Sequence, residues 1–342
     1  MTQLLRNTQP ALMAGAKILA SEILGIQANP WSSFWYVDGD GGSSSASGNV
    51  PEAALDTIQG AITAAGRGDL VYVRPKAMGS TATDPSSYTE NVVVPVATDG
   101  LSIIGASFNR TQNGLPQLKV GTTTTDPLLK VKAMGCYIAG LGINGNGGTG
   151  SGISLYDDAG VTACTAGTTI ENCHFKNCVG TTATNAATGG AIYVPLGTWQ
   201  IRVRSNRFYK NVGDIVLAST STDVAQDWVI EDNIFSGPAA SVDCNIYTGG
   251  GGVNGIIIQH NTFQADPAIG SASNGNFLML TASVGILADN FFACITEEAD
   301  TEITFGATGV NKVPTTVFMA GNFGEWGTAG APGVGSGEIF RT

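Results

Sequence analysis

The chain has 342 residues, and its 27 acidic and 16 basic side chains give a formal net charge of −11 at pH 7. This acidic balance disfavours nucleic acid as a partner, because binding to phosphates needs an excess of Lys and Arg. Hydrophobic residues make up 43% of the chain, which disfavours disorder, and the sequence has no apolar run of transmembrane length.

Residues 1–33 predict an N-terminal helical arm. Pro10 suits a first helical turn and Gly25 can end the helix. Lys17 and Glu22 interrupt the apolar stretch, so we interpret it as a helix rather than a signal peptide. The arm has one apolar stripe, formed by Leu12, Ala16, Leu19 and Ile23. Such a stripe must dock, either on the rest of the chain or on a partner in a larger assembly.

A second, short helix is predicted over residues 55–65, with Asp56 as its N-cap. Its apolar side carries Ile58, Ile62 and Ala65. Strand-like segments follow at Leu70–Val73, Val92–Val94 and Leu101–Ile104.

Seven aligned segments between residues 136 and 324 form an internal repeat with four apolar or Asn columns. The steps between columns are two, three and two residues, so the chain must bend within the middle step if all four columns face one side. We place the bend at the third column, where Asn tolerates the left-handed αL conformation. The third column contains Leu141, Cys173, Asn206, Asn233, Asn261, Asn290 and Asn322. The fourth contains Ile143, Phe175, Phe208, Phe235, Phe263, Phe292 and Gly324.

A further strand is predicted before each unit. These strands are Leu129–Val131, Ile153–Leu155, Ile192–Val194, Ile215–Leu217, Ile246–Thr248, Phe277–Leu280 and Ile303–Phe305. Coils of three strands stack about 4.8 Å apart. At that spacing the Phe rings can stack, and the asparagines form a structural ladder of Asn206, Asn233, Asn261, Asn290 and Asn322.

The sequence therefore predicts an all-β solenoid, a parallel β-helix over residues 34–324, followed by a Gly-rich tail over 325–342. The helix at 55–65 would cap the open N-terminal end of this solenoid. An alternating βαβ sheet is disfavoured, because the connections are too short and too rich in Gly to hold helices.

The runs Trp35–Asp38, Thr57–Gln59, Gly68–Val73 and Tyr88–Asn91 resemble the beginning of the pectin-lyase-like right-handed β-helix superfamily. The later Asn-x-Phe units are similar to its asparagine ladder. The resemblance implies a right-handed, single-stranded parallel β-helix, with an extra loop at Lys76–Ser87. The superfamily includes pectate lyases, polygalacturonases, phage tailspikes, adhesins and virion proteins, so the fold does not determine the function.

Two groups of residues suggest polysaccharide cleavage. Asp157-Asp158 resembles a polygalacturonase motif, but the accompanying motifs of that family are absent, so a polar turn is favoured. A lyase would need a basic residue near acids, and Arg202 and Arg204 have nearby acids on neighbouring coils. These acids are Glu171, Glu231 and Asp232. The register points both arginines outward, which favours a solvated face.

Metal and cofactor signals are weak. His174 and His260 lie beside the ladder on different coils, where we expect them to face solvent. The loop at residues 38–42 lacks the Glu of a calcium loop, and no phosphate-binding or dinucleotide motif is present. The cysteines lack CxxC spacing, which favours buried free thiols over disulfides or a metal site. They are Cys136, Cys164, Cys173, Cys178, Cys244 and Cys294. No cofactor and no catalytic residue is predicted.

One outward column becomes apolar on four consecutive coils, at Val229, Ile257, Ile286 and Phe318. Such a stripe is covered either by the N-terminal helix or tail of its own chain, or by another subunit. The favoured function is a non-catalytic structural protein of a virion, as a capsid decoration or a short spike, with a glycan as a candidate ligand. The resemblance suggests a homotrimer. The alternatives are a polysaccharide lyase or hydrolase and a bacterial surface adhesin.

Overall fold

The computed structural model describes residues 32–77, 86–107, 114–121, 124–145, 148–155, 165–180, 189–218, 220, 222, 224–236, 244–265, 277–295, 305, 311–328 and 331–339. The predicted N-terminal arm up to residue 31 and the Asp157-Asp158 pair lie outside these residues.

Three sheets run along the molecule, and successive strands of the chain enter them in rotation. The first sheet contains Phe34–Val37, Leu70–Val73, Ser102–Gly105, Tyr137–Ala139, Thr169–Glu171, Arg202–Arg204, Val229–Glu231, Val253–Gln259, Val284–Ala288 and Val317–Ala320, with Ala225–Gln226 beside Val253–Gln259. The second contains Ser87–Thr89, Gln117–Lys119, Gly142–Asn144, His174–Lys176, Arg207–Tyr209, Ile234–Ser236, Thr262–Ala265, Phe291–Ile295, Phe323–Thr328 and Ala331–Glu338. The third contains Val92–Val94, Leu129–Val131, Ile153–Leu155, Ile192–Val194, Ile215–Leu217, Ile246–Thr248 and Leu278–Met279.

The register between coils matches the columns that the repeat predicts. In the first sheet, Ile170 pairs with Ile138 on one side and Val203 on the other, all in parallel. In the second sheet, Phe175 pairs in the same way with its column neighbours Ile143 and Phe208. The predicted parallel β-helix is confirmed.

Stacked aromatic rings fill one side of the core. The rings of Phe175, Phe208, Phe235, Phe263 and Phe292 lie 4.6–4.9 Å apart between centroids, with interplanar angles of 7–9°. All five side chains are fully buried. The spacing follows from the distance between coils, so the rings stack because the strands that carry them are in register.

The asparagines form a continuous ladder at the turn between the first and second sheets. The Oδ1 atom of Asn261 accepts hydrogen bonds from the backbone N–H and the Nδ2 of Asn233, both at 3.0 Å. Asn261 in turn donates from the same two groups to Asn290, again at 3.0 Å. The pattern extends to Asn206 at one end and Asn322 at the other. Each amide thus satisfies the backbone of the coil before it.

The αL conformation was predicted at the ladder asparagines, and this is wrong. Positive φ angles occur at the residue before the ladder position, which is Gly140, Asn172, Ser205, Asp232, His260, Asp289 or Gly321. The reason is geometric. The reversal of side-chain direction must be completed before the Asn so that its amide faces inward and reaches the next coil.

The N-terminal end is capped by the helix Ile58–Ala64, which buries Ile58, Ala61 and Ile62 against the core. Its N-cap is Thr57, whose side chain accepts a hydrogen bond from the N–H of Gly60, so the prediction of Asp56 as the cap is wrong. The Glu90 carboxylate also accepts from the N–H groups of Ile58 and Gln59. These bonds to a neighbouring coil fix where the helix begins.

The same helix also covers an open sheet edge. The Gln59 side chain accepts a hydrogen bond from the N–H of Val93 and donates one to its carbonyl. Val93 lies on the first strand of the third sheet, so the helix satisfies backbone groups that would otherwise invite pairing with another chain.

Two features at the C-terminal end depart from the simple repeat. Leu278–Met279 is followed by a parallel bridge from Met279 to Lys312. Of the predicted strand Ile303–Phe305, residues 303–304 lie outside the described residues, and Phe305 is a buried side chain whose ring centroid lies 5.0 Å from that of Phe292. Phe323–Thr328 pairs in parallel with Phe291–Ile295, and Ala331–Glu338 then pairs with it in the antiparallel direction at the end of the second sheet.

Replacing Asn261 by Leu should lower the melting temperature by several degrees. The substitution leaves the N–H and the Nδ2 of Asn233 without their acceptor, and a buried unsatisfied group costs about 1–3 kcal/mol. Thermal unfolding followed by circular dichroism measures the effect. Asn254, exposed on the same coil, supplies the control: Asn254→Leu should leave the melting temperature nearly unchanged. Equal melting temperatures for Asn261→Leu and the wild type would contradict the ladder's role.

Candidate interaction surface

The outward column predicted from the repeat forms a stripe on the outer face of the first sheet. Val229, Ile257, Ile286 and Phe318 are paired in this order on consecutive strands. Ile286 is 41% exposed and Phe318 66% exposed, whereas Val229 and Ile257 are half-buried. We call these four residues the first stripe. Its exposure increases toward the C-terminal end of the solenoid.

A second stripe, which the sequence analysis missed, lies on the outer face of the second sheet. Ile234, Thr262, Phe291 and Phe323 are paired in register on consecutive strands. Ile234, Phe291 and Phe323 are 42%, 40% and 54% exposed. The signal was available, because each of these residues follows a ladder Asn directly and therefore points outward. We call these four residues the second stripe.

A charged corner separates the two stripes. It consists of the αL residues Asp232, His260 and Asp289, which are exposed at the turn between the sheets. The Nε2 atom of His260 lies 3.8 Å from Oδ2 of Asp289. On each coil from 229 to 292, a residue of the first stripe, a corner residue and a residue of the second stripe therefore follow one another along the chain.

The predicted lyase candidates pair with one another on the outer face of the first sheet. Glu171 accepts hydrogen bonds from the hydroxyl of Tyr137 at 3.2 Å and from Nε of Arg204 at 2.8 Å. Arg202 forms an ion pair of 3.3 Å with Glu231 on the next coil. Asp232 is absent from this group, since it lies at the corner.

The pKa values of Arg204 and Tyr137 in this group are shifted upward, opposite to the shift that a catalytic base needs. Burial by itself would lower the pKa of Arg204, but the hydrogen bond and charge of Glu171 raise it above its ordinary value. Burial, followed by the charge of Glu171, also raises the pKa of the Tyr137 hydroxyl. Both groups hold their protons more firmly than in water, whereas a general base must lose its proton near the working pH. The cluster links neighbouring coils through these side-chain contacts.

His174 and the loop at residues 38–42 also differ in environment. His174 was expected to face solvent, and this is wrong: it is buried, in register between Gly142 and Arg207 in the second sheet. His260 is exposed as expected. In the loop, the Asp38 carboxylate accepts from the N–H groups of Asp40 and Gly41 and pairs with Arg74. Its oxygens thus stabilise a turn.

The described part of the chain contains neither a reactive cysteine nor a group of metal ligands. Cys136, Cys173, Cys178 and Cys244 are buried free thiols. Burial raises the pKa of Cys136, Cys173 and Cys178 to about 12, which keeps them as unreactive thiols. Among the described residues no three His, Cys, Asp or Glu side chains are grouped to hold a metal, and no helix is long and apolar enough to cross a membrane.

Outward apolar side chains on several other coils are buried, which distinguishes the two stripes from them. Phe34, Leu70 and Ile104 lie on the outer face of the first sheet near its N-terminal end and are buried, packed with tyrosines. On the third sheet, the outward Val216 is fully buried, and Tyr247 packs against it. The C-terminal coils alone combine large outward apolar side chains with high exposure among the described residues of the first and second sheets.

Comparison with known proteins finds the fold but no close relative. No protein-family model and no curated protein matches the sequence. An alginate lyase from Paenibacillus sp. str. FPU-7 matches in structure with a TM-score of 0.51 and 13% identity, covering 83% of this chain and 95% of the other. A GH136 lacto-N-biosidase from Eubacterium ramulus matches with a TM-score of 0.51 and 10% identity over 78% of this chain. ORF18 of Geobacillus virus E2 matches with a TM-score of 0.41 and 13% identity over 79% of this chain.

The chain spans 57% of the length of the biosidase and of the virus protein. The two matches with a TM-score of 0.51 support the fold, and their identities of 10–13% leave the activity open.

Proposed function

We propose that this protein is a non-catalytic structural component of a virion, as a capsid decoration or a short spike, and that it associates side by side with copies of itself. The observation that carries the proposal is the first stripe. Large apolar side chains in register on an outer face are costly in water, and contiguous exposed patches of this kind mark association sites on folded proteins.

The surroundings of the first stripe support association over catalysis. Arg202 pairs with Glu231 and Arg204 with Glu171 beside the stripe, so these four charges would not be buried unpaired against a partner. The stripe runs in register over four consecutive strands of an outer sheet face, whereas a small substrate needs a concave site to exclude water. The protein partner we propose is a second copy of the chain, in a homotrimer that attaches to a larger capsid or tail assembly.

Ile257→Asp combined with Ile286→Asp should convert the assembly into folded monomers. The two carboxylates would be buried without partners in the contact, which costs several kcal/mol per interface. Light scattering coupled to size exclusion should give the mass of three chains for the wild type and of one chain for the variant. Thr169→Asp, in the same outward column but outside the stripe, should keep the mass of three chains.

A monomeric wild type would overturn the association. The alternative is that the apolar side of the N-terminal residues covers the first stripe. The double variant Leu12→Asp with Leu19→Asp tests this alternative. This variant should still have the mass of three chains if copies meet through the first stripe.

The second candidate function is a polysaccharide lyase or hydrolase, or an adhesin that binds a glycan. The observation that favours glycan contact is the outward pair Tyr193 and Tyr247, aligned two coils apart on the third sheet and half-buried. Their faces could stack on sugar rings, as aromatic side chains do in ligand sites.

We expect no cleavage of acidic or neutral polysaccharides, because the lyase candidates Arg202 and Arg204 are held in ion pairs with Glu231 and Glu171. Reducing-end assays detect hydrolysis, and absorbance of the unsaturated product detects elimination. Turnover that disappears in Asp157→Asn or Asp158→Asn would establish an enzyme and refute the structural role. Turnover that disappears in Arg204→Ala would do the same for the outer-face cluster.

A further inference from the structure

We infer that Asn254 is a site of spontaneous modification, at which the folded protein converts its own side-chain amide into a carboxylate. Asparagine is chemically labile, and an Asn-Gly pair favours the reaction because glycine has no Cβ to hinder the approach of its backbone nitrogen to the Asn side chain. Two such pairs lie wholly within the described residues, Asn144-Gly145 and Asn254-Gly255. The structure holds the first pair in a regular sheet and leaves the second outside it.

The reaction is an intramolecular displacement followed by hydrolysis. The backbone nitrogen of Gly255 loses its proton and attacks Cγ of Asn254, a new C–N bond closes a cyclic imide, and the Nδ2 group leaves as ammonia. Water then opens the ring at one of its two carbonyl groups. Opening at one group gives Asp with an ordinary peptide bond, and opening at the other gives isoaspartate, in which the main chain runs through the former side-chain carbon. Water is the only reagent consumed.

The first argument is that Gly255 lies in a β-bulge of the strand Val253–Gln259. The neighbouring strands are in register with Asn254 and then with Ile256 or Ile257, so Gly255 lies opposite no residue on either side. Its φ of +79° also departs from the regular strand conformation. The peptide that must move for the attack is therefore the one that the pairing of strands holds least.

The second argument concerns the side chain that is attacked. Asn254 is exposed, and its side-chain amide makes no hydrogen bond within the described part of the chain. Its backbone carbonyl accepts from the N–H of Asp227 at 2.8 Å, so the main chain before the bulge is held while the side chain can rotate. A ladder residue such as Asn261 differs, because its amide is buried and donates to Asn290.

The pair Asn144-Gly145 has the same chemistry in the opposite environment. Asn144 is in register with Lys119 on one side and Lys176 on the other. Gly145 is buried, and its N–H donates to the carbonyl of Lys176 at 3.0 Å. Attack by this nitrogen would break that hydrogen bond in the interior, so Asn144 is an internal control for Asn254.

The bulge can also accommodate the product. Isoaspartate adds one carbon atom to the main chain, and a residue without a ladder partner can take up the added length. The strand from Ile256 onward then keeps its register, and with it the position of Asn261 in the ladder. The modified protein should therefore keep the wild-type circular dichroism spectrum.

Incubation of the full chain at mildly alkaline pH tests the inference, because the attacking nitrogen must lose its proton. Digestion and mass spectrometry measure the exchange of the amide NH₂ for OH, and fragmentation assigns its position. Conversion at Asn254 should be at least about tenfold faster than at Asn144, which reacts only when its coil opens locally. In concentrated urea, where neither pair is held by structure, the two rates should be equal.

Asn254→Gln is the matched control, because the longer side chain must close a larger ring and should stay unmodified. A change at Gly255 is less suitable, since a Cβ there would lie 2.9 Å from Oδ1 of Asp227. An Asn254 that stays intact as long as Asn144 in the folded protein would overturn the inference. A difference in rate that persists in urea would also overturn it, since the local sequence and not the bulge would then select the site.

Discussion

Every feature of this protein depends on the alignment of one coil directly above the next. Parallel strands about 4.8 Å apart carry like residues into columns, so each side chain meets a similar side chain on either side. The ladder of asparagines and the stack of phenylalanines are the two inward consequences. The amide of Asn261 serves Asn233 before it and Asn290 after it, while Phe263 stacks on Phe235 and Phe292. A slip of one residue in one coil would break both series at once.

The same alignment acts on the outer faces, with different results along the solenoid. Near the middle, Tyr137, Glu171 and Arg204 lie on successive coils and satisfy one another. Toward the C-terminal end the outward residues are apolar, and alignment joins them into stripes. Stacking in columns thus joins isolated surface residues into continuous surfaces. The residue type decides whether the side chains of such a surface pair with one another or stay exposed to a partner.

The same alignment explains why the candidate catalytic acids and arginines of the described coils pair with one another. Acids and arginines on neighbouring strands look like a catalytic constellation in the sequence. In the structure their spacing lets them form ion pairs: Glu171 raises the pKa of Arg204 against the effect of burial, and burial, followed by the charge of Glu171, raises the pKa of Tyr137. An ordered repeat places charges close together for structural reasons, so proximity by itself is weak support for chemistry on this fold.

The sequence by itself determined the parallel β-helix, the pairing of strands and the inward columns. Periodicity at two-residue steps encodes which face is buried, and stacking then follows from that pattern. The first stripe could be located in this way, since its residues alternate with inward ones. Other features depended on contacts between residues distant in the chain, which no local pattern contains.

The tertiary structure alone decided the αL position before each ladder Asn, the Thr57 cap supported by Glu90, the burial of His174 and the bridge from Met279 to Lys312. It also decided that the second stripe is exposed while outward residues near the N-terminal end are buried. Local periodicity states which way a side chain points, but only the arrangement of the other coils and loops determines whether water reaches it.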